Sequence, residues 1–218
     1  MNKRYLFVSY RFWADEIYNS LPIKIPKVEN SVSLINYIEE NKEVEYIFFV
    51  GWSNIIDEYI IKKFNCFCIH PSMLPLYRGG SPIQNQILDG IVESGLTLFK
   101  MDKNLDSGPI FSQKKLSLDG SLEIIFERII NISIELLSSM ILKIEKNELI
   151  KLIPQDEKKA TFCKRRKPSQ SEITLSEIST LSALQLHNKI RCLDDPYPNA
   201  YIVCSDGKKL FLKKSYLE

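Results

Sequence analysis

The run Cys66-Phe67-Cys68-Ile69-His70-Pro71-Ser72-Met73-Leu74-Pro75-Leu76-Tyr77-Arg78-Gly79-Gly80-Ser81-Pro82-Ile83 divides into three parts. Cys66 to Ile69 is a short apolar strand that stops at His70-Pro71, since proline brings no N–H to a sheet ladder. From Pro71 to Gly80, two prolines restrict the backbone and two glycines free it. Ser81 then opens a helix through Leu88. Pro82 takes its first position, where the missing N–H costs nothing, and Gly90 is placed to end it. Strand, restrained loop and helix in succession make one βα unit.

The same grammar extends both ways. Upstream, residues 5–10 and 45–50 are apolar runs of strand length, and helices are expected over 15–21, 33–41 and 57–64. Downstream, strands are expected at 95–101 and 109–118, then a long helix over 121–145. Leu122, Ile125, Phe126, Ile129, Ile130, Ile134, Leu137, Ile141 and Ile144 recur there at three- and four-residue steps and share one face. Strands alternating with helices predict an α/β fold with a mostly parallel sheet. After residue 153 the composition turns polar and basic, with Lys164-Arg165-Arg166-Lys167. Three regions follow: a main domain over 1–153, a connection over 154–180, and a C-terminal piece over 181–218. The last is read as a helix over 181–193 and a β-hairpin around Ser205-Asp206-Gly207. The apolar face of that hairpin, Ile202, Leu210 and Leu212, is expected to pair two copies into a homodimer.

Composition narrows the function. With 218 residues, 44% of them hydrophobic, the chain can bury one principal core. Twenty-nine basic against 27 acidic residues leave a net charge of +2, so no nucleic-acid partner is expected, and the short basic run reads as a solvated face. The five cysteines are odd in number and include only a C-x-C pair. That pattern fits neither a four-ligand zinc site nor a disulfide framework; no metal is expected, and the thiols are read as reduced. No apolar stretch has bilayer length and no signal-peptide core precedes the first strand. The expectation is a cytoplasmic protein with no membrane partner.

Ligands of open α/β sheets bind beyond the carboxyl ends of strands. Two segments expected there carry chemistry: His70 to Ile83, and Asp102-Lys103-Asn104-Leu105-Asp106-Ser107-Gly108-Pro109-Ile110. A histidine exchanges protons near neutral pH, and a carboxylate beside it orients the ring or accepts a proton from an amine. Gly79 and Gly80 allow close backbone approach. Together these groups suit attack of an amine on a carbonyl carbon, with His70 stabilising the charge that develops on oxygen.

The first segment resembles the loop Asn-x-His-x-Ser-x-Leu-Pro-x-Tyr-Arg-Gly of the folate-dependent formyltransferases. His70, Ser72, Leu74, Pro75, Tyr77, Arg78 and Gly79 stand in register, and Asp106-Ser107-Gly108 resembles the family's Asp-x-Gly loop. The resemblance implies a Rossmann-like, mostly parallel sheet with helices on both faces, and N10-formyltetrahydrofolate as formyl donor. It implies His70 and Asp106 as catalytic residues; Val50, Gly51, Trp52 and Asp102 against the folate; and Ser72, Arg78, Gly79, Gly80 and Gln84 towards the acceptor. Arg78-Gly79-Gly80-Ser81-Pro82-Ile83-Gln84-Asn85 and Tyr197-Pro198-Asn199-Ala200-Tyr201 look like the short sugar N-formyltransferases, which act on nucleotide-linked amino sugars. Another small amine, or a non-catalytic binding role, are the alternatives. One departure stands out: the family's asparagine falls at Cys68, and a thiol is a weaker donor than an amide.

Overall fold

The computed structural model describes residues 2–195 and 197–218. β1 (Tyr5–Val8), β3 (Tyr46–Phe49) and β4 (Asn65–His70) lie side by side in parallel, and the two-residue β2 (Lys27–Val28) flanks β1. β6 (Glu93–Lys100) then pairs antiparallel with β4, and β7 (Ile110–Ser117) antiparallel with β6. The six-stranded order is β2-β1-β3-β4-β6-β7, so β6 alone runs against the rest. The expected α/β sheet, mostly parallel and Rossmann-like, is present.

Strand alternation splits the apolar residues between two faces. Tyr5, Phe7, Phe48, Phe67 and Ile69 face one core, shared with α1 (Ala14–Asn19), α4 (Pro82–Leu88), α5 (Leu122–Glu145) and α7 (Ala183–Arg191). Leu6, Val8, Ile47, Phe49 and Cys66 face a second core closed by α2 (Ser31–Glu40) and α3 (Glu58–Lys63). Helices therefore cover both faces. α5 begins where Ser121 caps the N–H of Ile124, and it buries Leu122, Ile125, Ile129, Leu137 and Ile141 along one stripe. Each such side chain contributes about 1.5–3 kcal/mol of burial free energy.

The region read as a connection is more structured than its polarity suggests. β8 (Phe162–Cys163) pairs with β5 (Arg78–Gly79), clasping the glycine-containing loop. α6 (Leu175–Thr180) follows, opened by a reciprocal cap between Thr174 and Glu177. The tail helix is shorter than expected, from a Ser182–Gln185 capping box to Arg191. The hairpin of β9 (Ala200–Val203) and β10 (Lys209–Leu212) forms as read. Two of its three apolar residues, Ile202 and Leu212, pack on this chain's own core, while Leu210 stays exposed. No described helix is long and apolar enough to cross a membrane.

Candidate active site

β1, β3 and β4 end together at one edge of the sheet, where Val8 lies beside Phe49 and Phe49 beside Cys68, two residues before His70. The loop carrying Asp106 arrives differently. Because β6 runs antiparallel to β4, its carboxyl end lies opposite the start of β4, with Lys100 beside Phe67. This corrects the expectation that both motif loops leave from the same edge. The 101–109 loop starts where the N–H of Met101 donates to the carbonyl of Cys66 at 2.8 Å, and it folds back along the sheet to reach His70.

His70 Nδ1 lies 3.5 Å from Asp106 Oδ2, with both side chains largely buried. The other ring nitrogen, Nε2, is 2.8 Å from the carbonyl oxygen of Tyr77. A carbonyl only accepts, so Nε2 carries the hydrogen and donates it. Nδ1 is then the ring nitrogen that faces the carboxylate. The same Oδ2 of Asp106 also accepts the N–H of Gly79 at 2.8 Å. Asp106 and Tyr77 both adopt left-handed backbone, φ 51° and 55°. Such conformations are uncommon for side chains of this size and concentrate at functional sites.

Contacts across the connection hold these loops. Gly79 has φ 107°, and a Cβ there would lie 2.5 Å from the carbonyl oxygen of Cys163; at Gly80 it would meet the backbone of Arg165 at 2.6 Å. The close approach that these glycines permit is thus filled by residues 163–165 of the same chain. Arg78 differs in a similar way from its expected place beside the acceptor. Its guanidinium is 1% exposed and bonds Gln155 and Glu157, with Nη1 at 2.8 Å from Glu157 Oε2. Within the chain this arginine anchors the loop. Ser72 does likewise, donating to the carbonyl of Leu76 at 2.6 Å.

Gln84, on the first turn of α4, is 2% exposed, yet neither amide atom has a hydrogen-bond partner among the described residues. Tyr197 lies near that amide, and burial pushes its hydroxyl's pKa up. After β3, Val50 is fully buried and Gly51 lies under the side chains of Arg11 and Trp13. The Trp52 ring packs edge-on against Tyr10, 5.3 Å between centroids, and its indole N–H is buried without a hydrogen-bond partner among the described residues. Asp102 turns inward, its Oδ1 accepting from the N–H of Asn104 and the hydroxyl of Ser107. A cavity of about 420 Å³ opens beside this loop, lined by Arg78, Asp102, Leu105 and Glu157 among others. A larger one, about 510 Å³, lies between α4, the connection and α7 and touches neither His70 nor Asp106.

Cys68 shares the strand face of His70 two residues earlier. Burial, then the nearby Asp106 carboxylate and Cys66, push its pKa far up, which keeps the thiol protonated. It donates only weakly, to the carbonyl of Ile69 at 3.6 Å.

Sequence reasoning did not single out Gln155, Thr161 or the carbonyl of Tyr77. Thr161 holds the histidine loop three times: its N–H donates to the carbonyl of Pro75, its carbonyl accepts from Arg78, and its hydroxyl accepts the N–H of Tyr77 at 2.8 Å. A backbone carbonyl leaves no trace in a sequence, and Gln155 and Thr161 sit in a stretch whose polarity resembles any solvated loop.

Residues 26–141, just over half of the chain, match the family model described as formyl transferase. A methionyl-tRNA formyltransferase from Syntrophomonas wolfei is 33% identical over 178 residues, which are 78% of this chain and 54% of that one. This chain spans about half the length of the curated relatives it matches. The solved methionyl-tRNA formyltransferase from Clostridium thermocellum superposes with a TM-score of 0.77 at 29% identity, covering 95% of this chain and 96% of that one. At 18% identity and a TM-score of 0.66, the fold also matches the N-formyltransferase from Helicobacter canadensis in complex with folinic acid and dTDP-3-aminofucose, over 87% of this chain and 80% of that one.

Proposed function

This chain belongs to the formyl transferase family, and from that premise we propose that it transfers a formyl group from N10-formyltetrahydrofolate to a primary amine. The observation that carries the reading is the approach of His70 Nδ1 to Asp106 Oδ2, 3.5 Å, at the end of β4.

The loop after β3 fits a flat, hydrogen-bonding ring. Val50 packs in the core beneath that loop, and the Trp52 indole N–H is a buried donor without an acceptor among the described residues. Such an orphan costs about 1–3 kcal/mol unless a ligand satisfies it. Val50, Gly51, Trp52 and Asp102 would hold the folate there. When bound, N10-formyltetrahydrofolate supplies an electrophilic formyl carbon. The chain's own groups do the rest. Asp106 would accept the proton that the attacking amine loses and return it to N10 as the C–N10 bond breaks and tetrahydrofolate leaves. His70, held by the Tyr77 carbonyl through Nε2, would carry a second hydrogen on Nδ1 and donate it to the negative charge developing on the formyl oxygen. Cys68 leaves that charge without the amide donor found in the family's motif.

For the acceptor we propose the amine of a nucleotide-linked amino sugar, met by the side chain of Gln84; Ser72, Gly79 and Gly80, which are bonded or covered within the chain, shape the loop beside it. Two things support it: the unpartnered amide of buried Gln84, and the fold match to a protein that holds dTDP-3-aminofucose. A second reading, an aminoacyl-tRNA acceptor, is favoured by the 33% identity to a methionyl-tRNA formyltransferase. An assay with N10-formyltetrahydrofolate and a panel of amino-sugar nucleotides, glycinamide ribonucleotide and methionyl-tRNA separates them. Formylation of an amino-sugar nucleotide with the highest kcat/KM is expected. A folded protein that formylates none of these amines overturns the transfer reading itself.

A further inference from the structure

Gln155 joins the two loops that carry the candidate catalytic pair. Its amide oxygen accepts from Arg78 Nε at 3.1 Å and from Arg78 Nη2 at 2.8 Å. Its amide nitrogen donates to the carbonyl of Asp106 at 2.9 Å and to that of Gly108 at 2.7 Å. Arg78 directly follows Tyr77, whose carbonyl holds the ring of His70. Asp106 is the carboxylate facing that ring. One side chain therefore uses its acceptor for the histidine loop and its donors for the aspartate loop.

The aspartate loop needs such a tie. It reaches His70 from the far end of β4, across a sheet edge where no ladder can carry it. Asp106 itself is in the left-handed region, φ 51°, a conformation that surrounding contacts must maintain. Its carboxylate is held by the N–H of Gly79 and its carbonyl by Gln155, so the residue is pinned at both ends. The geometry uses an acceptor and two donor directions on one planar group, which is what a side-chain amide has.

We propose that Gln155 is a positioning residue that sets the distance between His70 and Asp106 by coupling their loops. The proposal rests on the formyl-transfer reading for its kinetic consequence only; the placement of His70 can be read without turnover. The chain has two histidines, so the ring signals of His70 can be assigned by comparison with an H187Q protein.

The test uses the full chain with Gln155→Glu and Gln155→Met. The first keeps the acceptor facing Arg78 but turns oxygen towards the carbonyls of Asp106 and Gly108. The second keeps the length and removes every polar contact. The readouts are the ring 15N and 13C shifts of His70, with Asp106→Asn as reference, and separate kcat and KM values for the formyl donor. In both variants the His70 signals are expected to leave the wild-type position towards that of D106N. A fall in kcat of about 10- to 100-fold is expected, with KM changed less than about threefold, as for a reacting pair displaced by about an ångström. His70 signals unchanged in both folded variants overturn the proposal, whatever kcat does. If the wild-type protein transfers no formyl group, the formyl-transfer reading fails while the His70 signals still decide this one. If Gln155→Glu does not fold, Gln155→Met decides on the same readouts; if neither folds while D106N does, Gln155 is a folding residue and the proposal is overturned.

Discussion

Tyr77 presents its carbonyl oxygen to the ring of His70 at 2.8 Å, and it does so from a left-handed backbone at φ 55°. The ring's hydrogen is thereby assigned to Nε2, and Nδ1 is turned to Asp106. A tyrosine at positive φ costs on the order of 1–2 kcal/mol. The cost is offset by Thr161 Oγ1, which accepts the Tyr77 N–H, and by Asp89, which accepts the Tyr77 hydroxyl at 2.8 Å. Orientation of the candidate catalytic ring thus depends on Thr161, 84 positions beyond Tyr77.

Thr161→Val keeps the shape of that residue and removes the acceptor. Stability is expected to drop by about 1 kcal/mol, the worth of one hydrogen bond, with Thr161→Ser close to wild type. Urea titration of the three proteins measures it. Equal midpoints for valine and serine would show that the hydroxyl holds nothing.

Gly79→Ala forces a Cβ to within 2.5 Å of the Cys163 carbonyl oxygen, a backbone atom that cannot step aside, at φ 107°. A loss of about 2 kcal/mol or more is expected. Gly207→Ala is the control: φ is 77°, and nothing lies within 4 Å of the added methyl. That variant should lose about 1 kcal/mol from conformation alone. Thermal melts of the two variants, ranked against wild type, check the difference.

Asp106→Asn and His70→Asn each remove one proton-carrying group without changing volume greatly. Transfer is expected to slow by about 10²- to 10⁴-fold, with far-UV circular dichroism unchanged. The double variant should be little worse than either single one, because the two groups act as a unit. Fully multiplicative losses in the double variant would argue against a coupled pair.

Cys68 is half-buried near Asp106, and its raised pKa keeps it a thiol. Burial likewise pushes Cys66 up to about 12. Iodoacetamide at pH 8 is expected to label exposed Cys204 first and to leave both strand cysteines unmodified while the protein is folded. Mass spectrometry of digested protein reads the sites. Cys68→Asn, which places an amide donor two residues before His70, is expected to raise kcat by about tenfold.

Glu177 receives Lys189 Nζ at 2.5 Å, joining α6 to α7. Burial raises the carboxyl's pKa, but the Lys189 ammonium and the Thr174 N–H outweigh it, and the net shift is downward. A carboxylate whose pKa is lower folded than unfolded adds stability above the unfolded value of about 4.3, and that stability is lost as pH falls through the folded value. Glu177→Gln should therefore be less stable than wild type at pH 7, and the gap should close below about pH 4. A gap that persists at pH 3 in chemical denaturation would assign the effect to packing.

Much of the architecture was readable from local pattern. The helix expected over 121–145 forms as Leu122–Glu145, since a serine cap and an apolar stripe are properties of adjacent residues. α6 carries a capping box in Thr174 and Glu177, yet the polar and basic stretch around it reads as a connection. The two-residue pair of β5 and β8 carries no pattern at all; it exists because Gly79 lets the Cys163 backbone approach.

The division between chain order and folded shape follows from range. Strand periodicity, turn chemistry and the spacing of His70 and Asp106 are encoded within short windows, so the α/β class and the two motif loops could be named before any coordinates. Which way β6 runs, how the 101–109 loop doubles back to His70, and that Arg78 spends its guanidinium on Gln155 and Glu157 were settled only by tertiary packing. Those contacts join residues dozens of positions apart, and their partners are chosen by competition for buried hydrogen bonds across the whole molecule.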